Sequence, residues 1–252
     1  MARVWVARLP VLALLLWAFA PAAHAQPLAP LRPFVPVWGA PTHCAAMLER
    51  FNQKASQPQI EDYVAVGQML EAGDCVVRNE AQASQFYGQA ARRGNAMAAR
   101  RLAALFGSGR GVPQSYANAG AWLAGKGGTD ERIEPWDYSI GVVYTLIAAT
   151  LESVRYPKDA WPAGFTLTLA IEADTQRPDK VGWRLTGERT PQTDALAAPI
   201  GEAFDAATAQ ALTRMAPADS KYRVAARVIV PITVRREGVG RFVVTEQEAL
   251  LR

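Results

Sequence analysis

Histidine is almost missing from this 252-residue chain, which holds only His24 and His43. Two such residues exclude the multi-histidine metal sites that a single chain builds around zinc. Cysteine is as scarce. Cys44 and Cys75 make one bridge at most, so this is no disulfide-stapled miniprotein. Charge of one sign is also lacking: the formal net charge is +4, with one-fifth of residues charged and half hydrophobic. That balance excludes an acidic disordered tail, and 19 Gly with 17 Pro exclude a collagen-like fibre. The same composition excludes a multi-span membrane protein, and the N-terminal apolar run, 11–20, falls short of the ~20 residues a comfortable membrane span needs. A globular chain of one or two domains remains.

Residues 1–25 read as a secretory signal peptide. Arg3 and Arg8 make the start basic, the apolar run follows, and Ala23 and Ala25 supply small residues at the cleavage positions. The expected cut precedes Gln26. The alternative is an uncleaved anchor over 4–25. No cysteine follows the small residues, so no lipid anchor is expected. Cleavage removes two arginines and no acid, which lowers the charge from +4 to +2 and leaves His43 alone. Any histidine-based nucleophile triad would have to use it.

In an oxidising compartment Cys44 and Cys75 are expected to pair. Closing about 32 residues would stabilise the fold by ~3–4 kcal/mol in the chain-entropy model. The alternative is activation of Cys44 by the adjacent His43. Neighbours on a helix point about 100° apart, which is poor geometry for that.

Residues 26–41, QPLAPLRPFVPVWGAP, carry five prolines and are expected to form an extended, semi-rigid linker. Phe34, Val35, Val37 and Trp38 favour its lying as a strap on the next domain. A polyproline ligand for an aromatic groove is the other reading.

From Thr42, a plausible N-cap, helical periodicity runs to about Lys54. Two segments then superimpose at a spacing of 36. Gly73 aligns with Gly109, Val76 with Val112, Ala81 with Ala117, Ala83 with Ala119 and Phe86 with Trp122. A period of this size signals stacked helix–turn–helix units. Gly73 and Gly109 stand where a helix must stop in a left-handed turn. Ala83, Phe86, Tyr87, Ala90 and Ala91 share one helix face.

These residues resemble the Sel-one-like repeat, a relative of the tetratricopeptide repeat, over roughly 60–128. Its Gly-x-Gly-Val turn reads Gly109-Arg110-Gly111-Val112, and its Ala-Ala-x-x-Gly reads Ala90-Ala91-Arg92-Arg93-Gly94. The first copy departs by placing Cys75 where the second has Gly111. The second degrades after Trp122, with Lys126-Gly127-Gly128 in place of Ala-Ala. The resemblance implies a short solenoid for protein contacts, with no catalytic residues. Gly107-Ser108-Gly109-Arg110-Gly111 lacks the Lys-Ser/Thr of a phosphate loop and follows no strand, so it reads as a turn. Arg92, Arg93, Arg100 and Arg101 lie in a stretch, 78–110, where Glu80 is the only acid. They are candidate partner-binding residues for an acidic protein or anionic surface, with a plain solvated face as the alternative. A mature charge of +2 without interleaved aromatics argues against nucleic acid.

The polar stretch 125–134 reads as a domain boundary. Beyond it a helix carries Ile140, Val143, Tyr144, Ile147 and Leu151 on one stripe and stops at Tyr156-Pro157. Two alternating strands follow, one with Phe165, Leu167, Leu169 and Ile171 facing one way, the other with Val181, Trp183 and Leu185. After an Ala-rich helix at 194–215, a third strand puts Val224, Val228, Val230, Ile232 and Val234 on one face and Arg223, Arg227 and Arg235 on the other. Glu237-Gly238 then turns into Phe242-Val243-Val244. Helices on one face of a sheet are expected. Pro231 and the outward arginines read as protection of a sheet edge.

Tyr156-Pro157, Ala160, Gly164 and the strand from Phe165 resemble the opening of the TonB C-terminal domain over about 138–236. The departures are Thr186-Gly187-Glu188-Arg189 in place of a Ser-Ser-Gly-rich turn, and a lone Pro217 in place of Pro-x-Pro. The sequence therefore predicts an α+β chain: a short α-solenoid of helix–turn–helix repeats (42–128) followed by a small TonB-C-like antiparallel sheet with packed helices (135–245). The expected function is a periplasmic scaffold that docks envelope proteins on the repeats, on a sheet edge, or on both. The alternatives are an anchored TonB-type energy transducer and a secreted hydrolase with an inter-domain site. No cofactor, metal or catalytic residue is assigned, because Asp159, Glu172, Asp174 and Asp179 are scattered.

Overall fold

A computed structural model describes residues 42–54, 58–128, 133–237 and 241–252. The expected signal peptide and linker lie outside the described residues, as does Gly238. Six helices come first: α1 (Thr42–Lys54), α2 (Ile60–Ala72), α3 (Glu80–Ala91), α4 (Ala96–Ser108), α5 (Tyr116–Leu123) and α6 (Pro135–Ser153). Strands β1 (Thr166–Asp174) and β2 (Gly182–Leu185) precede α7 (Pro191–Leu212). Then come β3 (Arg227–Glu237), β4 (Arg241–Glu246) and β5 (Leu250–Leu251). This is the predicted class, α+β with a helical-repeat part and an antiparallel sheet.

Local chemistry sets the repeat boundaries. Asn79, Asn95 and Ser115 cap α3, α4 and α5, their side chains accepting from the N–H of Gln82, Ala98 and Asn118. Gly73 and Gly109 end α2 and α4 with φ of 71° and 70°, and their N–H groups donate back to Met69 and Leu105.

One element joins the repeats to the sheet. Every residue of α6 from 137 to 147 is buried, where the sequence predicted a single apolar stripe. The reason is that α6 has two sets of neighbours: α4 and α5 on one side, β1, β3 and α7 on the other. On the repeat side backbones almost touch. A β-carbon on Gly120 would lie 1.7 Å from the Asp137 carbonyl oxygen, and one on Gly141 would lie 1.9 Å from that of Tyr116. One apolar core runs continuously from Cys44 through Ile140 and Ile147 to Val234.

The sheet order is β2-β1-β3-β4, antiparallel throughout, with β5 also pairing with β3. Alternation holds. Leu167, Leu169 and Ile171 of β1, and Val228, Val230, Ile232 and Val234 of β3, are buried toward α6 and α7. Val224 and Arg223 are exceptions, because they precede β3. Val224 is 41% exposed, and its N–H donates to Ser139 Oγ of α6 at 2.9 Å instead of joining the ladder. On the open face, Thr168, Thr233 and Thr245 form a row across three strands.

Pro231 does not guard an outer edge, since β3 is central. Its carbonyl accepts from the Gln247 N–H at 2.8 Å, so its missing N–H falls on the same side, at the break between β4 and β5.

Candidate functional site

Cys44 and Cys75 are joined by a disulfide, with Cα atoms 5.2 Å apart and a sequence separation of 31. Both are buried, at 0% and 3% exposure. Asp74 lies beside them, and among the described residues this is the one trio of acids, histidines or cysteines close enough to hold a metal. With both sulfurs bonded to each other, neither is a thiolate ligand. The side chain of His43 lies outside what the structure describes.

The four candidate arginines do not share a face. Arg92 is exposed, its guanidinium 5.5 Å from the centre of the Trp122 ring. Arg93 folds back on α3 and donates to the backbone and side-chain oxygens of Gln89. Arg100 turns inward and is 7% exposed. Its Nη2 donates to the Glu246 carbonyl at 3.2 Å. Its Nε lies 3.5 Å from the Glu246 carboxylate, an ion-pair distance without hydrogen-bond alignment. Arg101 lines a groove.

That groove, about 410 Å³, crosses α2, α4 and α6 and is lined by Gln68, Glu71, Arg78, Arg101, Arg110 and Glu152, among others. Arg110, in the turn after α4, is its hub, lying 3.2 Å from Glu71, 2.8 Å from Glu152 and 3.5 Å from Glu80. The sequence reading of 78–110 as a basic run missed this, because Glu71 and Glu152 come from outside the run. Tyr87 donates to Glu71 at 2.8 Å; burial first, then that carboxylate, pushes its hydroxyl pKa up. Burial works against the charge on Arg101, but the carboxylates of Glu71 and Glu246 outweigh it and hold the guanidinium above its ordinary pKa.

The second surface is the edge of β4. Register pairs Thr233 with Thr245 and Arg235 with Val243, and these odd residues of β3 aim their backbone groups at β4. The backbone groups of Phe242 and Val244 therefore face outward. Among the described residues no strand meets them. Val244 is 37% exposed. The edge ends at Glu246, which Arg100 of α4 and the Tyr144 hydroxyl of α6, at 3.4 Å, both hold. Groove and edge are thus linked through neighbouring residues of α4: Arg101 lines the first and Arg100 holds the end of the second.

The scattered carboxylates stay apart. Glu172 pairs with Arg227 on β1 and β3, and Asp174 with Arg177 in the following turn. Partial burial opposes the ionisation of Asp174, but the N–H groups of Arg177 and Gln176 hold its pKa below the usual carboxylate value. Asp179 is exposed in that same turn, while Asp159 sits at the opposite end of β1, before its first residue.

No family model and no curated protein matches this chain. Two solved structures are similar to part of it. A Sel1 repeat protein from Oxalobacter formigenes is 17% identical over 43% of this chain, with a TM-score of 0.31. A protective antigen present in uropathogenic Escherichia coli strains, displaying an SLR fold, is 17% identical over 42%, with a TM-score of 0.30. The chain spans 42% and 27% of those two proteins. None of the comparisons supports the TonB resemblance, which rests on its residues alone.

Proposed function

We propose that this chain is a protein-interaction scaffold, with Sel-one-like repeats beside a TonB-like sheet, working in the periplasm once residues 1–25 are removed. The observation that carries the scaffold reading is the junction at Glu246. There Arg100 of α4 holds the end of an unpaired strand edge, and its chain neighbour Arg101 lines the charged groove across α2, α4 and α6. A partner in the groove is held by side chains, and one on β4 by main-chain hydrogen bonds, each worth about 1 kcal/mol net. The two-part division into 42–128 and 135–245 is kept, with α6 serving both parts.

The test places a photo-crosslinking amino acid at Arg101, at Val244 and, as a control, at Glu202 on the outer side of α7, in the full chain expressed in Gram-negative cells. The expected result is one shared partner from the first two positions and none from the third. Different partners, or none, would remove the junction as a single docking surface. The mature N-terminus, read from the same sample, should be Gln26. Retained Met1 in the membrane fraction would favour the anchored transducer instead.

A further inference from the structure

The repeat spacing reaches further toward the N-terminus than the two units above. Shifted by 36 residues, α2 superimposes on α4 and α1 on α3, so Cys75 aligns with Gly111 and Cys44 with Glu80. Both turn residues are left-handed, with φ of 65° and 70°. A β-carbon on Gly111 would sit 2.3 Å from the Glu80 carbonyl carbon, so the turn of the second unit touches the start of α3. In the first unit the same touch, from turn to start of α1, is made by the disulfide. Thus α1 is the second helix of a unit whose first helix is missing among the described residues.

What that helix would rest on can be read from α2, which fills the place one unit later. Gly67 lies under Tyr87, 2.6 Å from its ring to where a β-carbon would stand. Tyr63 meets Phe86 with ring centres 5.7 Å apart, and Gln68 reaches Met97 at 3.5 Å. Glu71 pairs with Arg110 at 3.2 Å and acts on the charge of Arg101. Thirty-six positions earlier, these five neighbours of α2 become Phe51, Arg50, Glu61, Asp74 and Ala65. All five line one groove of about 540 Å³ between α1 and α2.

We propose that this groove seats an α-helix of a partner protein, a basic amphipathic one, packed as α2 packs on α3 and α4. Helix geometry follows from the repeat. The charge follows from the residues: Asp74 stands where Arg110 does, Glu61 where Met97 does and Ala65 where Arg101 does. A lysine or arginine therefore replaces the glutamate that α2 presents as Glu71. Five prolines in 26–41 make the preceding stretch a poor source of a helix, which points to another protein. The inference deepens the scaffold reading and rests on it.

The probe is a fluorescent, lactam-stapled peptide with the α2 sequence, Ile60–Ala72, carrying Glu71→Lys. Its binding to the full chain is measured by anisotropy, beside the same peptide with Glu71 kept. The lysine peptide should bind about tenfold more tightly, a difference of about 1.4 kcal/mol, and should slow amide exchange in α1 and α2. In the chain, Asp74→Arg should reverse the preference, and Ala65→Trp should abolish binding of both peptides. Glu61→Lys, at an exposed site, should give the same reversal if Asp74→Arg does not fold. Binding of neither peptide, or a preference indifferent to both charge changes, overturns the proposal. Loss of the shared crosslink with peptide binding intact sinks the groove-and-edge junction alone, and the converse sinks this helix seat alone.

Discussion

Where the repeats meet α6, helices approach through glycine; on the sheet side of α6, aromatic rings fill the space. Gly107, Gly120 and Gly141 each sit where a β-carbon would fall 2.0 Å or less from a neighbouring helix. On the other side of α6, Tyr156 meets Trp161, Phe204 and Phe242 with ring centres 5.1–6.3 Å apart, and Trp183 stacks on Phe204 at 6.3 Å. The first arrangement gains many close dispersion contacts and has no slack. The second buries large surfaces and can relax around a lost atom. One helix serves both because its two faces differ in kind.

Three substitutions sharpen or break this contrast. The largest effect is expected from Gly141→Val, because the obstacle is the Tyr116 carbonyl and no rotamer avoids it. A loss of roughly 4 kcal/mol or more, or failure to fold, should appear in urea denaturation. A near-neutral result would mean that α5 and α6 are not packed backbone to backbone. Next comes Phe204→Ala, fully buried between Tyr156 and Trp183, with an expected cost of about 3–5 kcal/mol. If it costs as much as Gly141→Val, the sheet half has no more slack than the repeats. Smallest is Cys44→Ser, expected to cost about 2–4 kcal/mol under oxidising conditions and nothing relative to the reduced wild type. Equal stability of the oxidised pair of proteins would show that α1 is held by packing alone.

Much of this was legible before any coordinates. The spacing of 36 located α2 to α5, because each unit repeats the same stop, turn and face. Two-residue alternation located β1 and β3, because one side of the sheet is buried and the other is open. The failures share a physical cause, contacts that no local pattern records. A stripe along α6 describes one neighbour, and α6 has two. Arg100 was counted on a basic face, yet its partner Glu246 lies 146 residues away. Arg110 looked uncompensated because its acids, Glu71 and Glu152, are 39 and 42 residues distant. A sheet edge was expected, but the hold of Arg100 and Tyr144 on the end of β4 depends on how α4 and α6 pack.

Pro231 carries one more implication. A strand pattern of period two tolerates a slip of two residues without exposing its apolar face. Here such a slip would carry a backbone acceptor of β4 onto a ring nitrogen that has nothing to donate. The break at 247–249 must therefore stay opposite Pro231, and β4 is indexed against it like a key cut to one notch. A residue at the centre of the sheet thus fixes how far along β3 the outermost strand sits, and so brings Glu246 level with Arg100 and Tyr144.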